Sequence, residues 1–129
     1  MHLYYAHSIR WTHTDGERTA LEVLDYLHSL GHTVSSEEFY TNLNPNLTDK
    51  EIFARDVQMI QQSDLILANV TNPSLGVGYE LGYAESIGKP IICFYQSLLV
   101  SYVSAMVTWN TSFSTHGITH LEDLDTLII

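Results

Sequence analysis

Two rhythms of apolar and polar positions run along this chain, and together they predict its elements. Leu3 to Ala6, Thr33-Val34, Leu65 to Val70 and Ile91 to Tyr95 are short and apolar almost throughout. Runs of that length without a polar side suit the strands of a parallel sheet covered on both faces. Between them the spacing turns helical. Ala20, Val23, Leu24, Leu27 and Leu30 recur on one stripe, with Thr14-Asp15-Gly16-Glu17 predicting a capping box before it and Gly31 its end. Thr48-Asp49-Lys50-Glu51 is a second box, opening a helix to about Ser63. A third helix is predicted from near Gly78 to Gly88, after a loop (Thr71 to Gly78) that Asn72-Pro73-Ser74 breaks out of the strand. Ser35 to Asn46 reads as a polar loop. Leu98 to Trp109 is apolar nearly all round, which predicts a helix packed against another copy of the chain. Thr119 to Glu122 caps a last short helix ending in Leu127-Ile128-Ile129. Strands alternating with helices predict one α/β domain over residues 1–129: a Rossmann-like (flavodoxin-like) layered fold, its mostly parallel sheet flanked by helices.

Composition narrows the partners. With 5 Lys and Arg against 15 Asp and Glu, the formal charge of −10 argues against nucleic-acid polymers and anionic membranes. Any phosphate must therefore be held locally, by a helix N-terminus, by hydroxyls or by Arg10. The single cysteine, Cys93, lies in an apolar run, and the sequence shows neither a signal peptide nor a transmembrane stretch, so a reducing cytoplasm is expected. The 7 histidines follow no H-E-x-x-H or Cys-paired spacing, so no metal is expected. Gly76, Gly78 and Gly82 give G-x-G-x-x-x-G, one residue off the dinucleotide fingerprint, and no Gly-Lys-Ser/Thr follows. A dinucleotide and a P-loop are excluded, a nucleotide-sized phosphate is not, and no cofactor is implied.

Two carboxylates stand out. Glu80 is placed in the first turn of the third helix, beside glycines that let a ligand approach the helix N-terminus. There the dipole favours its charge, so it is expected to be ionised. It shares a stripe with Tyr83, Ala84 and Ile87, and either points into a cleft or merely complements the dipole. Asp56 lies on the apolar face formed by Phe53, Val57 and Ile60, where an unpaired carboxylate would cost several kcal/mol. Its alternative role is an ion pair with Arg55 or with a neighbouring helix; against the first stands the rule that helical neighbours at i, i+1 do not face each other.

Tyr4-Tyr-Ala-His-Ser8-Ile9-Arg10, Asp56-Val-Gln-Met-Ile-Gln-Gln-Ser-Asp64 and Asn72-Pro-Ser74-Leu-Gly-Val-Gly-Tyr-Glu80-Leu-Gly-Tyr-Ala together resemble the nucleoside 2-deoxyribosyltransferase superfamily. The likeness runs from Leu3 to about Val107 and leans towards the 2'-deoxynucleoside 5'-phosphate N-hydrolase branch. The resemblance implies a nucleophile at Glu80, an acid at Asp56 that assists departure of the base, and Tyr4 as the partner that holds Glu80. It implies a phosphate cradle from Ser8, Arg10, Ser74, Gly76 and Ser104, with Ser104 reaching the partner's site across a homodimer. Ile9 and Trp11 would face the base. Transferases of this superfamily have an acidic residue in place of Ser74, which would repel a 5'-phosphate. His7 departs from the small residue of the hydrolase pattern. The expected activity is hydrolysis of the N-glycosidic bond of a (2'-deoxy)nucleoside 5'-monophosphate. Base exchange by a transferase, or nucleotide binding without turnover, are the alternatives.

Overall fold

The structure, a computed structural model, describes residues 1–9, 19–42 and 45–128. Among these, β1 (His2–Ala6), β2 (Thr33–Val34), β3 (Leu65–Asn69), β4 (Ile91–Gln96) and β5 (Ser114–Ile118) form one all-parallel sheet in the order β2-β1-β3-β4-β5. All four apolar runs are strands, as their pattern predicts. β1 lies on β3 with Leu3 opposite Leu65 and Ala6 opposite Ala68, and β3 continues onto β4 with Asn69 opposite Phe94.

Alternation along β1 sends Leu3 and Tyr5 to one face, Tyr4 and Ala6 to the other. The first face packs with Val23 and Leu27 of α1 (Ala20–Ser29), and with Ile118 and Leu124. The second packs with Ile60 of α3 (Asp49–Gln62) and Val77, Leu81 and Ala84 of α4 (Leu75–Ser86). Tyr4 thus starts on the α3/α4 side. Gly31 and Gly88 follow α1 and α4 at φ +87 and +75, the left-handed conformation that glycine reaches without strain.

Several boundaries differ from the sequence reading. Thr14 to Glu17 lie outside the described residues, and α1 is capped instead by a reciprocal box between Thr19 and Glu22. The Thr48–Glu51 box is present as expected. The stretch read as a loop from Ser35 to Asn46 holds a short helix, α2 (Glu38–Thr41), pinned by the buried Phe39. α4 begins at Leu75 rather than near Gly78, because the Ser74 side chain caps it by accepting from the Val77 N–H. Leu98 to Trp109 is not one helix. It breaks into a 3-10 stretch (Ser97–Tyr102) and α5 (Ala105–Thr108), with non-helical backbone at Leu99 inside the first. The last helix is a 3-10 segment (Leu121–Thr126) capped through Asp123, which accepts from the Thr119 and His120 N–H groups. β5 has no apolar pattern to predict it, since Ser-Thr-His-Gly-Ile has one large apolar residue and forms a half-exposed sheet edge.

Candidate active site

At the C-terminal ends of β1 and β3 the chain opens a cleft of about 1410 Å³. Ser8 and Ile9 line it after β1, Asn72 and Ser74 after β3, Gly76 and Glu80 from α4, and Tyr102, Ser104 and Met106 from the far side. This is where parallel α/β sheets bind ligands, because strand ends and helix N-termini converge there.

Glu80 is fixed from below. The hydroxyl of Tyr4, itself fully buried, donates to its carboxylate. Burial, then the Glu80 charge, push the Tyr4 phenol far above its ordinary range, so it stays a donor. Glu80 lies in the second turn of α4, away from the dipole end, and the expected ionisation by the helix N-terminus is not what the site provides. Burial raises its pKa to about 7, the Tyr4 bond holds the rise back and the Asp56 charge adds to it. Of its predicted stripe, Ala84 is buried while Ile87 is exposed.

Gly76 lies between Ser74 and Glu80. A methyl group on it would stand 3.7 Å from Glu80 Oε1 and 3.9 Å from Ser74 Oγ. Cap hydroxyl, bare backbone and carboxylate therefore share one small space. The Gly76 N–H is also among the first four of α4, which have no partner within the helix.

Asp56 sits beside this centre on α3, half-buried. Burial raises its pKa, the Arg55 hydrogen bond and charge lower it, and Glu38 raises it. Its Oδ1 accepts from Arg55 Nε at 3.0 Å. The pairing that the i, i+1 rule disfavoured is present, because a long guanidinium can curl back where a short side chain cannot. The sequence reading also missed Phe39, whose ring meets Tyr4 edge-on at 5.9 Å and carries the Arg55 guanidinium at 4.5 Å. Arg55 adjoins Asp56 in the sequence; Phe39 gave no signal beyond being apolar in a polar stretch.

His7 borders the cleft, with its Nδ1 2.9 Å from the Tyr5 hydroxyl; burial lowers its pKa to about 4, so it is neutral. Arg10 and Trp11 lie outside the described residues. Among those described, no group of three or more His, Cys, Asp or Glu is placed to hold a metal ion. No described helix is long and apolar enough to cross a membrane.

The sequence profile described as Nucleoside 2-deoxyribosyltransferase matches residues 3–117. The chain belongs to that family. Within the nucleoside 2-deoxyribosyltransferases it is 36% identical over 111 residues to a 5-hydroxymethyl-dUMP N-hydrolase of Danio rerio, covering 83% of this chain and 77% of that one. It is 48% identical over 59 residues to the 5-hydroxymethyl-dUMP N-hydrolase of Rattus norvegicus, 46% of this chain and 36% of the other. Among solved structures, a Clostridium botulinum CMP N-glycosidase superposes with a TM-score of 0.71 over 99% of this chain and 100% of that one. At 19% identity that likeness is one of fold. The family assignment and the α/β architecture agree with the reading from sequence.

Proposed function

We propose that this nucleoside 2-deoxyribosyltransferase family member hydrolyses the N-glycosidic bond of (2'-deoxy)nucleoside 5'-monophosphates. One observation carries the reading: a Tyr-held glutamate faces a capped, glycine-lined helix start, with a second carboxylate beside it. In the reactive form Glu80 is the anion and Asp56 the acid. Glu80 attacks C1', the bond from C1' to the base nitrogen breaks, and the proton of Asp56 goes to the leaving base. Water then displaces Glu80 from C1' and returns a proton to Asp56, releasing the sugar 5-phosphate. Turnover needs Glu80 ionised and Asp56 protonated, so kcat/KM is expected to be bell-shaped in pH.

The phosphate cradle consists of the Ser8 and Ser74 hydroxyls, the Gly76 N–H and Arg10. Ser74 Oγ accepts from Val77, which leaves its own hydrogen free to donate to an anion. Ile9 and Trp11 flank the base. Ser104 lines this chain's own cleft, and in a homodimer it would also reach the partner's; the support for assembly is that Leu75 and Met106 at the cleft, and Leu98, are 97%, 81% and 96% exposed. Apolar side chains so exposed, several in one region, mark an interaction surface. The buried, unpaired Cys93, its thiol pushed up to about 12 by burial, fits a cytoplasmic enzyme.

Incubating the protein with each common nucleotide and a different free base tests the reading. Free base with sugar phosphate supports it. A new nucleotide or nucleoside means base transfer instead, and tight binding without products refutes turnover.

A further inference from the structure

Phe39 and Arg55, which do not line the cleft, form a chain that ends at Asp56 and Tyr4 beside Glu80. The Arg55 guanidinium lies over the Phe39 ring, its Cζ 4.5 Å from the centroid, with Nη1 3.8 Å from Glu38 of α2 and Nε 3.0 Å from Asp56 Oδ1. Phe39 packs edge-on against Tyr4, the residue that holds Glu80. Stacking and a planar fork fix a guanidinium in a way that an ammonium cannot reproduce. With Oδ1 bonded to a cation, negative charge concentrates on that oxygen, and a proton on Asp56 belongs on Oδ2.

We propose that Arg55, stacked on Phe39, is a positioning residue: it holds Asp56 by Oδ1 and leaves Oδ2 as the oxygen that hands its proton to the departing base. The inference rests on the N-glycosidase reading. As the C1'–N bond breaks, its electron pair and the Oδ2 proton go to the base nitrogen, and the new carboxylate stays paired with Arg55. Asp56 is faced by Glu38 and Tyr40 of α2, Tyr4 of β1, Glu80 of α4 and Arg55 itself. Of these only Arg55 is a cation, so its removal moves Asp56 towards protonation at higher pH.

Two substrates separate a positioning role from a packing one. One is a deoxynucleoside 5'-monophosphate. The other is a 2-deoxyribose 5-phosphate bearing an acidic phenol at C1', which leaves without a proton. Arg55→Gln is expected to lose about 10- to 100-fold in kcat/KM on the nucleotide, a part of what general acid catalysis supplies. Its pH profile should move upward, and its loss on the phenol should stay below about 3-fold. Arg55→Lys keeps the charge and is expected to recover part of the nucleotide rate. Equal losses on both substrates with an unmoved profile would overturn the inference and leave the N-glycosidase reading standing. If Arg55→Gln does not fold, Arg55→Lys and Phe39→Leu decide by the same discrimination. A wild type that cleaves neither substrate removes the reading and the inference together.

Discussion

Glu80 acts on the protein's stability as well as on its proposed substrate. In the unfolded chain a glutamate ionises near 4.5, whereas in the folded protein the Glu80 pKa is about 7. Between those values the unfolded state gives up its proton first, so folding stability falls as pH rises from about 4.5 to 7 and is flat above. The loss amounts to about 3 kcal/mol. Glu80→Gln should therefore melt higher than wild type at pH 8, with the gap gone at pH 4, while turnover drops by several orders of magnitude and nucleotide still binds. Thermal denaturation at both pH values, beside an activity assay, checks this; a variant of near-normal activity would remove the mechanism. Residue types and spacing singled out Glu80 and Asp56 in the sequence, and the family resemblance added Tyr4. Their protonation was not legible, because it depends on burial and on a helix start three residues earlier than the glycines suggested.

α4 gathers most of the centre into one element, with cap, gap and carboxylate at positions 74, 76 and 80. Ser74 has two duties that substitutions can separate. Ser74→Ala loses a cap of about 1 kcal/mol together with a charge-assisted bond, and should weaken monophosphate use by about one to two orders of magnitude. Ser74→Asp keeps a good cap, so its melting temperature should stay near wild type. A like charge then opposes the phosphate, and kcat/KM should fall further on the nucleotide than on the nucleoside. An unchanged preference would refute the cradle. Gly76→Ala should hold or raise stability, since alanine is about 1 kcal/mol better in a helix, yet lower kcat/KM because its methyl enters the shared space. Melting and kinetics on one preparation test both halves. The strands were legible because both of their faces are covered and their runs are therefore apolar. The Leu98–Trp109 break was not, because apolarity all round does not distinguish one helix from two short pieces exposed on the surface.

For the whole molecule, the exposed Leu75, Leu98, Met106 and Trp109 make assembly the expectation to test. Light scattering should give a dimer or larger. Met106→Glu should shift it towards monomer and lower activity in proportion, as Ser104 is withdrawn from the neighbouring site. A fully active monomer at nanomolar concentration would sink the shared-site proposal. The alternation of strands and helices carried the architecture, but no pattern within one chain shows what covers its outer face. The position of β1 between β2 and β3 has a further consequence, during synthesis. Leu3-Tyr4-Tyr5-Ala6 is made before its long partner β3, which begins about 60 residues later, roughly 3–12 s at 5–20 residues per second. Until then an apolar strand has only the two residues of β2 to pair with. Pausing the ribosome within the segment between β1 and β3 should lower soluble yield, and pausing it after β4 should not.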